Sequence, residues 1–146
     1  MSKEIIIKND VEINVINDLI HDCWFSKDAI FYDKLSSSLT IRYRRELSDK
    51  KKTLWKKYLL KRYSIPIVEF ILQFKYVINY KISNGKNAES WDIFNKINFL
   101  PNDRKILVKT CIATTFEIVV DNFYISIMET DNIVGDHKKW TISLNR

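Results

Sequence analysis

The chain has 146 residues, 46% of them hydrophobic, which is enough for one domain whose core needs no disulfide or metal. Two glycines and two prolines are too few for flexible linkers, collagen-like repeats or the glycine-rich loops that hold nucleotide phosphates. The formal net charge of +6 is concentrated between Arg42 and Arg62, where ten Lys and Arg accompany two acidic residues. We therefore expect a single domain over residues 1–146 that carries one basic segment.

The first element predicted along the chain is short and helical. Val11, Val15 and Leu19 recur at helical spacing, which predicts one short helix or turn over residues 11–20. The chain then enters a stretch, L-I-H-D-C-W-F-S-K-D, in which titratable side chains crowd around two aromatic residues.

The cluster His21-Asp22-Cys23 has two interpretations. Side chains two positions apart in a strand point the same way, so His21 could serve as the base that a Cys23 nucleophile needs in a hydrolase. Zinc is disfavoured, since no C-x-x-C or H-x-x-x-H pair is present. We favour a chain reversal in which the Asp22 carboxylate accepts backbone N–H groups and Cys23 enters the core, without catalytic activation of the thiol.

A β-hairpin is predicted next. Residues 29–33 and 39–46 are rich in β-branched and aromatic residues, and residues 34–38 supply the loop. In the second strand Leu39, Ile41 and Tyr43 face one way, while Thr40 and Arg42 face the other.

The basic segment interleaves cations with aromatic residues, in D-K-K-K-T-L-W-K-K-Y-L-L-K-R-Y. The pattern leaves open a solvated insertion between two strands, an amphipathic helix, and a surface for phosphates and stacked bases. Because no recognised nucleic-acid motif accompanies the charge, we favour a protein partner with an acidic surface and keep nucleic acid as the alternative. The residues expected to contact the partner are Arg42, Arg44, Arg45, Lys50, Lys51, Lys52, Trp55, Lys56, Lys57, Lys61 and Arg62.

The strongest periodicity in the chain has a period of two. It predicts a single long strand over residues 70–82 with Leu72, Phe74 and Ile78 on the buried face. Asn84-Gly85 follows as a hairpin-turn dipeptide, with a loop running to Ser90.

The remaining elements extend this antiparallel pattern. Further strands are predicted over residues 91–100, 105–113, 115–120, 123–129 and 140–144, with a turn at Pro101-Asn102-Asp103 and a two-residue hairpin loop at Asp121-Asn122. The predicted fold class is mainly β (β-rich α+β), a single antiparallel meander curved into a sandwich or half-barrel.

Cofactors and membrane segments receive no support from the sequence. The carboxylates and histidine of residues 129–137 could hold a cation but lack the spacing of a common calcium loop, so we expect no metal and no cofactor. Cys23 and Cys111, without a secretory segment, indicate reduced thiols in the cytoplasm. The longest apolar runs fall well short of the roughly 20 residues of a membrane span.

Four short motifs carry a resemblance: H-D-C-W-F-S, A-I-F-Y-D, L-T-I-R-Y-R-R-E and I-A-T-T-F-E-I-V-V-D-N-F-Y-I-S-I. Together they resemble a broad set of small bacterial β-rich domains without assigned activity, some of which are immunity proteins of toxin–immunity pairs. The resemblance implies a non-catalytic protein-binding role and carries over only His21 and Asp22. Many immunity proteins are acidic, whereas this chain is basic, so the resemblance implies a toxin that is acidic where it meets Arg42 to Arg62.

Overall fold

The computed structural model describes residues 3–47, 51–57, 60–85 and 90–142. Short 3-10 turns join some of its elements, and one α-helix precedes most of the strands. In chain order the elements are β1 (Glu4–Ile7), α1 (Ile13–Ile20), β2 (Trp24–Ser26), β3 (Ile30–Asp33), β4 (Ser38–Glu46), β5 (Lys52–Lys57), β6 (Leu60–Phe74), β7 (Val77–Asn84), β8 (Trp91–Leu100), β9 (Lys105–Thr110), β10 (Thr114–Val120) and β11 (Ile125–Ile142).

The described strands form one open antiparallel sheet. Its order is β1-β11-β6-β4-β2-β8-β9-β10-β7, with β3 beside β4 and β5 beside β6. The hairpin-connected strands β8, β9 and β10 together with β7, which lies outside β10, make a Greek-key arrangement. The predicted fold class, mainly β and antiparallel with one short helix near the N-terminus, is confirmed.

One hydrophobic core is shared by both ends of the sheet. Leu72 and Phe74 of β6 belong to the same buried cluster as Phe116 of β10, so the sheet curves over a single interior. The Phe25 ring of β2 stacks on Phe94 of β8 with centroids 4.5 Å apart. Helix α1 adds its two buried side chains, Ile16 and Ile20, and packs against β8.

Two local predictions are confirmed in detail. The β3–β4 hairpin pairs Ile30 with Ile41 and Asp33 with Ser38, and its inward residues are buried as the alternation predicts. Helix α1 lies inside the predicted span and is preceded by a 3-10 turn that begins after Asn9, whose side chain accepts the Val11 N–H.

The single strand predicted over residues 70–82 is wrong, because the chain turns between β6 and β7. Tyr76 has a φ of 59°, a left-handed conformation that ends the pairing of β6. Val77 then donates its N–H to the Ser37 carbonyl and β7 pairs with β10 at the far end of the sheet order. The turn shifts the parity, so Phe74 and Val77 are buried while Ile78 is 61% exposed.

Two predicted hairpins are also absent from the described residues. Gly85, after β7, donates to the Ala113 carbonyl, and β7 pairs with β10 rather than β8. Asp121 donates to the Tyr76 carbonyl, and β11 pairs with β6 and β1 instead of β10. A turn dipeptide favours a local reversal, but the pairing partner is decided by which strand can cover the same apolar interior. Residues 86–89 of the predicted loop lie outside the described residues.

The basic segment forms strands in its described part. Strand β5 pairs with β6 from Lys52 opposite Ser64 to Lys57 opposite Leu60, so the helical alternative is wrong there. The predicted closing strand is the end of β11, which continues to Ile142; residues 143 and 144 lie outside the description. No helix in the described part of the chain is long and apolar enough to cross a membrane.

Candidate binding surface

A three-stranded ribbon extends from the sheet, and we call it the arm. It consists of residues 52–57 of β5, 60–65 of β6 and 136–142 of β11. The central strand is paired on both edges: Ser64 lies opposite Lys52 on one side and Lys138 on the other, and Arg62 lies opposite Trp55 and Trp140. Pro66 marks the base of the arm, where its carbonyl accepts the Leu47 N–H. Beyond it, β4 takes the place of β5 beside β6.

The arm contributes almost nothing to the hydrophobic core. Every described side chain of residues 52–57 and 136–139 is exposed, and Ile65 is the one buried side chain described in the arm. Backbone pairing therefore organises this ribbon, and most of its described side chains remain accessible to a partner.

Positive charge accumulates on the arm. Its three segments contain seven Lys and Arg residues and a single carboxylate, Asp136. Five of the cations come from the predicted basic segment, and two come from β11, Lys138 and Lys139. Sequence reasoning missed these two because they lie more than seventy residues further along the chain and only strand pairing brings them beside β6. Clustered like charges repel one another, so an acidic partner would relieve the repulsion.

Two cations, one in the arm and one just before it, are directed at one aromatic ring of the arm. Lys51, which precedes β5, places its Nζ 4.7 Å from the Tyr63 ring centroid, and the Lys61 Nζ lies 5.1 Å from it. Both distances are within the range of cation–π attraction. The Tyr63 ring is thus engaged by ammonium groups within the protein itself.

Glu46 joins the base of the arm to β4. Its carboxylate lies 2.5 Å from His137 Nδ1 and accepts a hydrogen bond from Lys139 Nζ at 3.4 Å. Burial tends to raise the pKa of Glu46, but the hydrogen bonds from His137 and Lys139 outweigh it, so the pKa is lowered. One carboxylate thereby partly offsets the charge at this end of the arm.

The structure divides the predicted contact residues into two groups. Arg42, Arg44 and Arg45 lie on β4, outside the arm: Arg42 forms an ion pair with Glu69, and the Arg44 guanidinium lies 5.0 Å over the Trp91 ring. Arg45 lines a recess next to Cys23. The other predicted residues belong to the arm or flank it, except that Lys50 lies outside the described residues, and for Trp55 and Lys57 the description is limited to the backbone.

The His21-Asp22-Cys23 cluster is a chain reversal after α1. Asp22 has a φ of 63°, and its N–H donates to the Phe94 carbonyl while Cys23 donates to that of Ile20. The backbone N–H groups at this reversal therefore donate to backbone carbonyls and not, as the sequence predicted, to the Asp22 carboxylate. The Asp22 side chain is 74% exposed, and its Oδ2 lies 3.5 Å from His21 Nε2.

Cys23 is placed as a core residue. Its side chain is buried, its Sγ donates to the Leu19 carbonyl at 3.5 Å, and burial raises its pKa to about 12. His21 is exposed, with Nδ1 3.2 Å from the Asn95 carbonyl oxygen. A protonated thiol and a histidine turned to another partner do not form an activated nucleophile.

Asp92 is a buried carboxylate that sequence reasoning missed. It lies on the inward side of β8 and accepts hydrogen bonds from the Thr110 hydroxyl and from the N–H groups of Ile93, Ile112, Ala113 and Thr114. Burial tends to raise its pKa, but hydrogen bonds from Thr114, Thr110, Ile93 and Ile112 outweigh this and lower it. Asp92 therefore stabilises the turn between β9 and β10. The sequence feature that indicates its burial is its position two residues before Phe94, because alternate residues of a strand share a face.

The cation site considered over residues 129–137 is not assembled. Asp136 accepts the Ser64 hydroxyl at 2.6 Å, and His137 faces Glu46. Within the described residues, no three His, Cys, Asp or Glu side chains are grouped so that they could hold a metal ion. Cys23 and Cys111 are both free thiols.

No protein-family model, curated protein or solved structure matches this chain. Its most distinctive surface is the arm, which combines accessible side chains with a strong excess of positive charge.

Proposed function

We propose that the protein is a non-enzymatic binding module that uses the arm to dock on the acidic surface of a partner protein. The observation that carries the proposal is a paired β-ribbon outside the core with seven cations and one carboxylate. Charge complementarity between a basic arm and an acidic surface speeds association and favours the correct partner.

A protein partner suits the arm better than a nucleic acid. Proteins that bind single strands combine basic grooves with aromatic faces on which bases stack. The ring of Tyr63 is approached by Lys51 and Lys61, so its face is already engaged. Two of the three cations of β4 are likewise engaged, Arg42 by Glu69 and Arg44 by Trp91.

Within this class, we propose an immunity protein that neutralises a cognate bacterial toxin in the cytoplasm. The resemblance of residues 21–26, 29–33, 39–46 and 112–127 to small bacterial domains supports this choice. Two free thiols are compatible with a reducing compartment. Inhibition by docking requires no catalytic group, in keeping with the high pKa of Cys23.

The test is co-production with any toxin-like protein that a neighbouring reading frame encodes. Affinity is measured by titration calorimetry and protection by growth of the host. An arm variant carries Lys52→Glu, Lys56→Glu and Lys138→Glu, all at exposed positions. A control variant of equal net charge carries Lys8→Glu, Lys96→Glu and Lys109→Glu, also exposed.

The arm variant should lose both binding and protection, whereas the control variant should keep both. Raising the salt concentration should mainly slow association of the unmodified protein. Equal protection by the two variants would exclude the arm as the docking surface. Absence of any complex with the neighbouring gene product would count against the immunity role.

Nucleic-acid binding is the second candidate, because some proteins read DNA grooves with β-strands and the arm is a basic three-stranded ribbon. Duplex and single-stranded DNA and RNA are titrated at about 50 and 200 mM salt, where each phosphate contact on duplex DNA contributes a log–log slope of about −0.9. Micromolar binding at the higher salt that disappears in the arm variant would overturn the protein-partner proposal. Failure to bind at the lower salt would exclude this second candidate.

A further inference from the structure

Strand β5 is an outer edge of the arm. Among the described residues it pairs with β6 alone, from Lys52 opposite Ser64 to Lys57 opposite Leu60. Successive residues of a strand direct their N–H and C=O groups to alternate edges, so the outer edge of β5 presents a row of backbone donors and acceptors. These groups can pair with an extended segment of another protein.

The other edges of the described sheet are less suited to this role, including that of β11 on the far side of the arm, where Asp136 adds a carboxylate. Strands β1 and β3 have four residues each and include a carboxylate, Glu4 and Asp33 respectively. Strand β7 is longer, but its Tyr80 ring packs against the Tyr32 ring of β3, with ring centroids 4.9 Å apart. Strand β5 has six residues, three of them lysines, and no acidic residue.

The composition of β5 selects among incoming strands. Edge lysines discourage pairing with a neutral or basic strand, which includes a second copy of β5 itself. An irregularity in the register between Thr53 and Trp55 adds to this protection, since bulges twist an edge away from a flat partner. Opposite charges facing one another across a ladder are favourable, so an acidic strand meets attraction where others meet repulsion.

The sheet order shows where such a strand would lie. Strands β4 and β5 follow one another along the same edge of β6, and β2 covers the outer edge of β4 where Trp24 pairs with Arg44. A strand added to β5 would lie in line with β2, next to the part of the sheet where β5 follows β4 along β6. The recess lined by His21, Asp22 and Arg45 borders the end of β2 that points towards this position.

We propose that the partner protein docks by adding an extended acidic segment as a strand along the outer edge of β5, with its carboxylates on the same face of the sheet as Lys52. The inference rests on the proposed function of the arm and specifies how the acidic partner is held. Backbone hydrogen bonds supply the alignment, and the lysines supply the selection.

The experiment uses the full chain and a synthetic peptide of about eight residues, an ordinary strand length, that alternates glutamate with valine. Two further peptides carry N-methyl groups on all glutamates or on all valines, which removes the N–H donors of one edge at unchanged charge. A peptide with lysine in place of glutamate is the control. Affinity and location are read from amide chemical shifts and from hydrogen exchange of residues 52–57.

The glutamate–valine peptide should bind, and alternate amides of β5 should gain protection from exchange. N-methylation along one edge should weaken binding about tenfold or more, because several backbone hydrogen bonds are lost, while methylation along the other edge should have little effect. The lysine peptide should not bind. Lys52→Glu with Lys56→Glu should abolish binding of the acidic peptide.

Two results would overturn the inference. One is an absence of shifts in β5 at millimolar peptide. The other is equal binding by both methylated peptides, which would mean that charge alone holds the segment. In the second case the proposed function of the arm stands, since its own test is the loss of toxin binding by the arm variant. If the arm variant binds the toxin as well as the control variant does, the proposed function of the arm is wrong, whatever the result with the peptides.

Discussion

The arm and the rest of the sheet, here called the body, share two long strands, β6 and β11. These strands contribute side chains to the hydrophobic core in the body but not in the arm. In the body, residues 68, 70, 72 and 74 of β6 are buried in strict alternation. In the arm, the preceding residues of the same strand are exposed or half-buried up to Ser64. A strand is therefore not by itself evidence of a hydrophobic core, because burial of its side chains depends on what packs against its two faces.

The difference is one of energetics. Burying a large apolar side chain contributes about 1.5–3 kcal/mol, whereas a hydrogen bond contributes about 0.5–1.5 kcal/mol net. The body has both contributions, and the arm has mainly ladder hydrogen bonds opposed by repulsion among its cations. We expect the arm to open locally at lower free energy than the body.

The largest expected effect is in the body. Phe74→Ala should lower the free energy of unfolding by about 3–5 kcal/mol, since Phe74 is fully buried and truncation leaves a cavity. Leu60→Ala at the other end of β6 is the matched control, because Leu60 is 45% exposed. Urea unfolding followed by circular dichroism measures both. A cost below about 1 kcal/mol for Phe74→Ala would show that this face is not core.

Thiol reactivity compares a buried side chain of the body with an exposed one. Burial raises the pKa of Cys23 from 9.0 to about 12, so its thiolate fraction near neutral pH should fall about a thousandfold. Iodoacetamide should modify the exposed Cys111 first and reach Cys23 only on unfolding. Peptide mapping by mass spectrometry gives the two rates. Rapid alkylation of native Cys23 that is lost in His21→Ala would instead support a Cys/His hydrolase.

Asp92→Asn tests the buried carboxylate and should cost about 2–3 kcal/mol, because hydrogen bonds to a charged acceptor are among the stronger ones. Asp121→Asn is the exposed control, with a side chain 68% accessible. Thermal unfolding at neutral pH measures the difference.

The same carboxylate makes stability depend on acid. The folded-state pKa of Asp92 is lowered, so its contribution is fully present above the unfolded value of about 3.9 and is lost as the pH falls through the folded pKa. Unfolding free energies measured downward from about pH 5 should decline less steeply for Asp92→Asn than for the unmodified protein. Parallel pH profiles would contradict this role.

The smallest expected effect on stability is in the arm. Lys52→Ala with Lys56→Ala should change the free energy of unfolding by no more than about 0.5 kcal/mol, since both side chains are exposed. At low salt the change should be stabilising, because repulsion is relieved, and added salt should remove it. A destabilisation comparable to that of Phe74→Ala would mean that the arm is an integral part of the core.

Sequence reasoning was most successful where the determinants are local. The β3–β4 hairpin and helix α1 follow from alternation and helical spacing within a few residues, and both are confirmed. It was wrong at Tyr76, where an unbroken period of two crosses a turn with a positive φ. Nothing in the alternation marks that residue, because the turn depends on contacts with distant residues: Lys75 and Val77 donate to the Tyr124 and Ser37 carbonyls, and the Tyr76 ring packs against that of Tyr124.

The binding surface shows the same division. The cations of β5 and of the first half of β6 are contiguous in sequence and were predicted as a group. Lys138 and Lys139 join them only through the pairing of β11 with β6, and Arg42 and Arg44 are separated from them because β4 presents them to Glu69 and Trp91.

The sequence by itself determined the class of fold, antiparallel strands with a short helix near the N-terminus, and the position of the main basic segment. The reason is that strand alternation and charge density are properties of neighbouring residues. Only the tertiary structure decided which strands pair, that β6 and β11 extend past the core as an arm, and that Asp92 is buried among five hydrogen-bond donors. Those outcomes depend on contacts between residues far apart in the chain, where covering a shared apolar interior outweighs local turn preferences.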